Sequence, residues 1–136
     1  MMLQALAAFL GAGLVMGVLD ALWLTTAVPR IYQPAIGPLL ADKPNMAAAI
    51  AFYLIYVAGI VLLAVWPNRD AGLLRVAATG AALGFVAYAT YDLTNQATLK
   101  MWSVRLTVID MTWGAVLTAA SAAAGWAALR WAYRIF

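Results

Sequence analysis

The acidic residues are the first place to look for chemistry. There are five, all of them aspartate, and three lie inside long apolar stretches: Asp20, Asp92 and Asp110. An ionised Asp at the centre of a membrane helix costs roughly 2.5–3.5 kcal/mol on insertion scales. Such residues face the bundle interior or a cavity and mark functional sites. Three neighbouring carboxylates cannot all be ionised without counter-charge. Either protons are shared, or a cation binds, or Lys100 and Arg105 reach in to form buried ion pairs. The first two readings are functional and the third is structural. A hard metal ion with oxygen ligands fits the residue types. Neither His nor Cys occurs, which argues against zinc or redox centres, and no cofactor is expected.

The helical neighbours of these acids are polar or aromatic. Tyr88, Asp92 and Asn95 follow i, i+4, i+7 spacing and share a face, with Thr94 and Thr98 beside it. Gly17, Asp20 and Leu24 share another, flanked by Trp23, and Thr107, Asp110, Trp113 and Gly114 a third. The expected site is a polar pocket walled by Tyr and Trp. Asp20, Asp92 and Asp110 would carry charge. Asn95, Thr94, Tyr88 and Tyr91 would supply hydrogen bonds, and Trp23 and Trp113 would line it. No catalytic residue is assigned, because Ser103 and Ser121 lack a base at an evident helical spacing. Paired Asp residues acting as acid and base would require a lipid-like substrate.

The elements holding these residues follow from composition. Of 136 residues, 67% are hydrophobic and 10% charged, with mean hydropathy +0.92. A soluble domain is roughly 45–50% apolar and ~25% charged, so the chain reads as an integral membrane protein. The expected fold is all-α, a four-helix transmembrane bundle forming one domain over 1–136. Its helices fall at about 3–28, 46–66, 72–98 and 104–133, each long enough for the ~20 residues a span requires. Pro29 is expected to stop the first helix, Asn45 to cap the second, and Trp66-Pro67-Asn68 to close it. The segment 29–45, with four prolines, reads as an interfacial or lid-like loop. Gly11, Gly13, Gly17 and the small residues at 119–124 suit close helix packing. Trp23, Tyr32 and Trp102 suit one interfacial belt, and Trp66, Trp126, Trp131 and Tyr133 the other. The first helix lacks a basic leader and is expected to be retained.

At ~1.5 Å per residue, Asp20 lies about 12 Å from the end of its helix, and Asp92 and Asp110 about 9 Å from theirs. Because helix directions alternate, all three measure from one side, that of the 29–45 loop. Four crossings place both termini on the same side. Basic residues divide four against four between the two sides, and taking the longer loop as exported puts both termini in the cytoplasm. The net charge of +3 is scattered singly, which argues against nucleic acid as a partner.

Several segments together resemble one bacterial membrane family. They are Asp20-Ala-Leu-Trp23-Leu, Gly37-Pro-Leu-Leu-Ala-Asp-Lys-Pro-Asn45, Phe52-Tyr-Leu-Ile-Tyr-Val-Ala-Gly-Ile60, Tyr88-Ala-Thr-Tyr-Asp-Leu-Thr-Asn95 and Ile109-Asp-Met-Thr-Trp-Gly114. The family is labelled domain of unknown function 2177, and the resemblance covers nearly the whole chain. It implies a small four-helix protein of the bacterial inner membrane. It also implies that the aspartates, Trp23, Asn95 and Trp113 belong to family motifs, and it carries no settled activity. The leading functional expectation is a protein that binds or transports protons or a small cationic ligand, with the lipid bilayer as its surroundings and a homodimer as its assembly. An accessory subunit of a larger membrane complex and a lipid-modifying membrane enzyme are the alternatives.

Overall fold

The computed structural model describes residues 1–135. It is all-helical, with no strand among the described residues. Four helical stretches are long and apolar enough to cross a membrane: α1 (Met2–Leu39), α2 (Met46–Asn68), α3 (Leu73–Thr98) and α4 (Val104–Ile135). Their uniform hydrophobicity is what a bilayer selects, since lipid offers no partner for a backbone N–H and only internally bonded helices can span it.

α4 is the spine, packing extensively on α1 and on α3. The α1–α4 pair is antiparallel: Gly125 meets Ala8 and Ala12, whereas Trp113 stacks on Trp23. Small residues allow this closeness. A methyl added at Gly11 would lie 2.7 Å from the Ala128 Cβ, and one at Gly80 would lie 2.8 Å from the Ala122 Cβ. α2 is held mainly at its second half. Val61–Val65 touches α1, α3 and α4, and its Val61, Ala64 and Val65 join Ala8, Ala12, Met16, Val76, Leu117 and Leu129 in the buried core.

The proline-rich segment differs from expectation. Pro29 does not end the first helix, which continues through Val28–Tyr32 as a π turn, Gln33–Ile36 as α-helix and Gly37–Leu39 as a 3-10 turn. Proline lacks an N–H and its ring crowds the carbonyl four residues back. The wider π turn accommodates that local break without ending the helix. At the bend, the hydroxyls of Thr25 and Thr26 donate to carbonyls of the preceding turn. Met2–Ala27 alone extends about 39 Å at 1.5 Å per residue, already enough for a ~30 Å hydrocarbon core. The continuation therefore runs on beside the first turn of α4, where Ile31, Pro34 and Ala35 face Ser103, Arg105 and Leu106. Within this segment, non-helical chain is confined to residues 40–45.

The expected cap of α2 is present, with the Asn45 side chain accepting the Ala48 N–H at 3.1 Å. The turn closing α2 is also where expected, and Trp126 Nε1 donates to the Arg69 carbonyl at 3.1 Å. Ser103 caps α4 by accepting the Leu106 N–H at 3.1 Å.

Candidate functional site

All three intramembrane aspartates turn inward: Asp92 is 0% exposed, Asp110 3% and Asp20 7%. Asp20 lies near enough to Asp110 for the two carboxyls to act on one another, but each has its own hydrogen-bond donors. Asp92 on α3 and Asp110 on α4 are a pair, with side chains within hydrogen-bonding reach of one another. Asp20 on α1 has its own partners. Its Oδ2 accepts the Tyr53 hydroxyl from α2, and its Oδ1 accepts Trp113 Nε1 from α4 at 3.3 Å. Among the described residues, no three acids are placed to hold a metal ion together.

Aromatic groups join the two parts. Trp23 and Trp113 stack with centroids 4.5 Å apart and planes 8° from parallel. Trp23 Nε1 donates to the Tyr32 hydroxyl at 3.3 Å, and that hydroxyl donates to Asp110 Oδ1. Trp23, expected as a lining residue, and Tyr32 thus both reach the carboxyl groups, Trp23 through Tyr32. Of the three alternatives for the acids, pairing with Lys100 and Arg105 has no ion pair behind it among the described residues. Among the described residues the ion pair present is Arg69–Asp70, at the other end of the bundle.

The hydrogen-bond inventory is uneven. Asp20 receives two donors and Asp110 one, while both carboxyl oxygens of Asp92 are buried with no partner. A buried acceptor without a donor is costly in any low-dielectric interior. Two adjacent carboxyls resolve this when a proton lies between them.

Of the remaining expected residues, Tyr88 packs its ring directly on Gly114, where a Cβ would fall 2.2 Å from the Tyr88 Cγ. Gly84 approaches α4 as closely, with a Cβ position 2.1 Å from the Gly114 carbonyl oxygen. These glycines bring α3 and α4 near enough for Asp92 and Asp110 to pair. Tyr91 is 57% exposed and meets Trp102 edge-on at 5.6 Å. Asn95 is half-buried, one turn beyond Tyr91 on the same helix. Thr94 is not brought to the carboxylates. It is exposed and donates to backbone carbonyls of its own helix, Thr90 and Tyr91.

Four contributors were not anticipated as direct partners: Tyr32, Tyr53, Tyr56 and Gln96. Tyr56 hydrogen-bonds Thr118 Oγ1 at 2.8 Å, and Gln96 accepts from Thr107 at 2.7 Å. The available signal was chemical: a phenol in an apolar run needs an acceptor. Beside the pair lies a cavity of about 370 Å³ lined by Phe52, Tyr56, Ala87, Tyr88, Tyr91 and Asp110.

Four apolar helices around a buried acidic site define an integral membrane protein. The chain belongs to the family described as "Predicted membrane protein (DUF2177)", whose model matches residues 5–127. No curated protein matches it, and no solved structure does.

Proposed function

We propose that this is an intramembrane cation-binding protein whose Asp92–Asp110 pair holds protons and exchanges them for a small cationic ligand. The observation that carries this reading is Asp92: fully buried, with two oxygens that have no protein donor, set against a second carboxyl. The chemistry balances. The doubly protonated pair is neutral, and entry of one monovalent cation with release of one proton leaves it neutral, so no net charge enters the low-dielectric interior. Tyr32 holds one oxygen of Asp110 through its hydroxyl and leaves the other for the proton or the ligand. Asp20, with two donors of its own, anchors α2 to α1 and α4.

The same reading places the protein in a bacterial inner membrane, with both ends on the cytoplasmic face and the 28–39 continuation of α1 covering the site from the opposite face. Transport across the bilayer, with two copies forming the pathway, is its natural extension. Native mass spectrometry on protein extracted gently from its own membranes tests it. A small cationic mass retained by the wild type and lost in Asp92→Asn is the expected result. A hetero-assembly with no such mass, unchanged in Asp92→Asn, would overturn the reading in favour of an accessory subunit.

A further inference from the structure

Resting on that reading, we propose that the ligand is an alkylated ammonium ion, held in the cavity between α2 and α3 by four aromatic rings and the Asp110 carboxylate. Phe52 and Tyr56 form one wall, with ring centroids 5.3 Å apart, and Tyr88 and Tyr91 form the facing wall. Asp110 is the acid on the lining. Aromatic faces attract cations through their quadrupole, and clusters of them recognise alkylated ammonium groups.

Three observations favour this class over a bare ion. The cavity, about 370 Å³, falls in the ~300–1,000 Å³ range of small-molecule sites. A calcium ion demands six to eight oxygen ligands, and magnesium a regular octahedron. Here the lining offers Asp110 and three phenols, of which the Tyr56 hydroxyl already bonds Thr118. The walls are otherwise carbon, which suits a weakly hydrated ion with an alkyl shell and not a strongly hydrated one. Access comes from the side. α2 meets α3 chiefly through Val61–Val65, and the first half of α2 stands away from it. Phe52 and Tyr91, 44% and 57% exposed, flank the resulting cleft.

Tetraethylammonium is the probe, titrated into the full chain in phosphatidylglycerol nanodiscs and followed by Trp fluorescence, with released protons measured in parallel. Saturable binding is expected, with about one proton released per cation. Asp110→Asn should abolish it, Tyr91→Leu should weaken it roughly 3- to 30-fold, and Tyr91→Phe should restore it, as cation–π attraction requires. Tyr91 is exposed, so its variants keep the fold. Repeating the titration in phosphatidylcholine separates the sources. Weaker apparent affinity there assigns the cage to a lipid headgroup, and unchanged affinity assigns it to a free organic cation. Binding that survives Asp110→Asn, or is indifferent to the ring at position 91, overturns the cage. Absence of binding, with proton uptake still sensitive to Asp92→Asn, overturns the cage and leaves the proton site. Loss of both overturns the cage together with the reading beneath it.

Discussion

Replacing Asp92 with Asn should make the bundle more stable while it removes proton exchange. Asp92 contributes two acceptors and no donor, is fully buried, and faces Asp110. The two carboxyls can bond one another only through a captured proton, although Asp110 also accepts the Tyr32 hydroxyl. Asn has the same shape and brings its own N–H, so it donates to Asp110 with no proton to capture. Interhelical hydrogen bonds in membranes contribute about 0.6–2 kcal/mol. The exchange substitutes a permanent bond for a conditional one, and the expected gain is about 1 kcal/mol, with about 2 kcal/mol as its ceiling. Reversible unfolding in dodecyl sulfate reads it, because separating the stacked Trp23 and Trp113 changes indole fluorescence. A gain in stability with loss of proton release is the signature of a site that sacrifices stability for function. A loss of 1 kcal/mol or more would refute the reasoning, since it would make the carboxyl pair a structural link between α3 and α4.

Other positions test the frame. Tyr53→Phe removes one of the two donors to Asp20 and should cost about 0.6–2 kcal/mol. It should also speed hydrogen exchange in Met46–Tyr56, which has few other ties to the bundle. Gly84→Ala drives a methyl to 2.1 Å from the Gly114 carbonyl oxygen and should cost about 1–3 kcal/mol or more. Gly17→Ala, with no atom within 4 Å of the added methyl, should be neutral or mildly stabilising in the same unfolding assay. Asn45→Ala deletes the cap on the Ala48 N–H and should cost about 1 kcal/mol, seen as fraying of the first turn of α2.

The spans were legible because a bilayer imposes one requirement, length with apolarity, and the chain meets it four times. The aspartates were legible because charge in such a stretch needs a reason. Their partners were harder to read for two physical reasons. Met46–Ile60 is apolar on every face, so periodicity could not show that Tyr53 and Tyr56 point inward while Ile55 is exposed to lipid. Four prolines disguised Tyr32, since a proline ordinarily breaks the ladder that a π turn here carries onward. Trp23 and Trp113 were legible as lining residues, but their stack depends on how α1 and α4 register, which one helix alone does not encode. That register also decides that Asp20 receives Tyr53 and Trp113 while Asp110 receives Tyr32.

The two ends of the bundle are built from different materials, and this explains where the site lies. At the end where Gly125 meets Ala8, Gly11, Gly80 and Gly125 bring backbones together, and Ala8, Ala12, Val65, Val76, Leu117 and Leu129 fill the space between. Without a hydrophobic drive between helices in lipid, such close packing is the main source of cohesion. Towards the other end small residues give way to large ones: Tyr88 on Gly114, Trp23 on Trp113, and the phenols of Tyr32 and Tyr53 on carboxylates. Cohesion there depends on hydrogen bonds from phenols and an indole to carboxyl groups, and on rings that border a cavity. α2 shows the contrast within one helix, since Val61–Val65 is locked in the core while its first half holds on through Tyr53 and Tyr56. A firmly packed half can support a half held chiefly by hydrogen bonds from two phenols. Local opening draws on thinly packed elements, and the first half of α2, which makes few contacts with its neighbours, carries Phe52 and Tyr56 on the cavity wall.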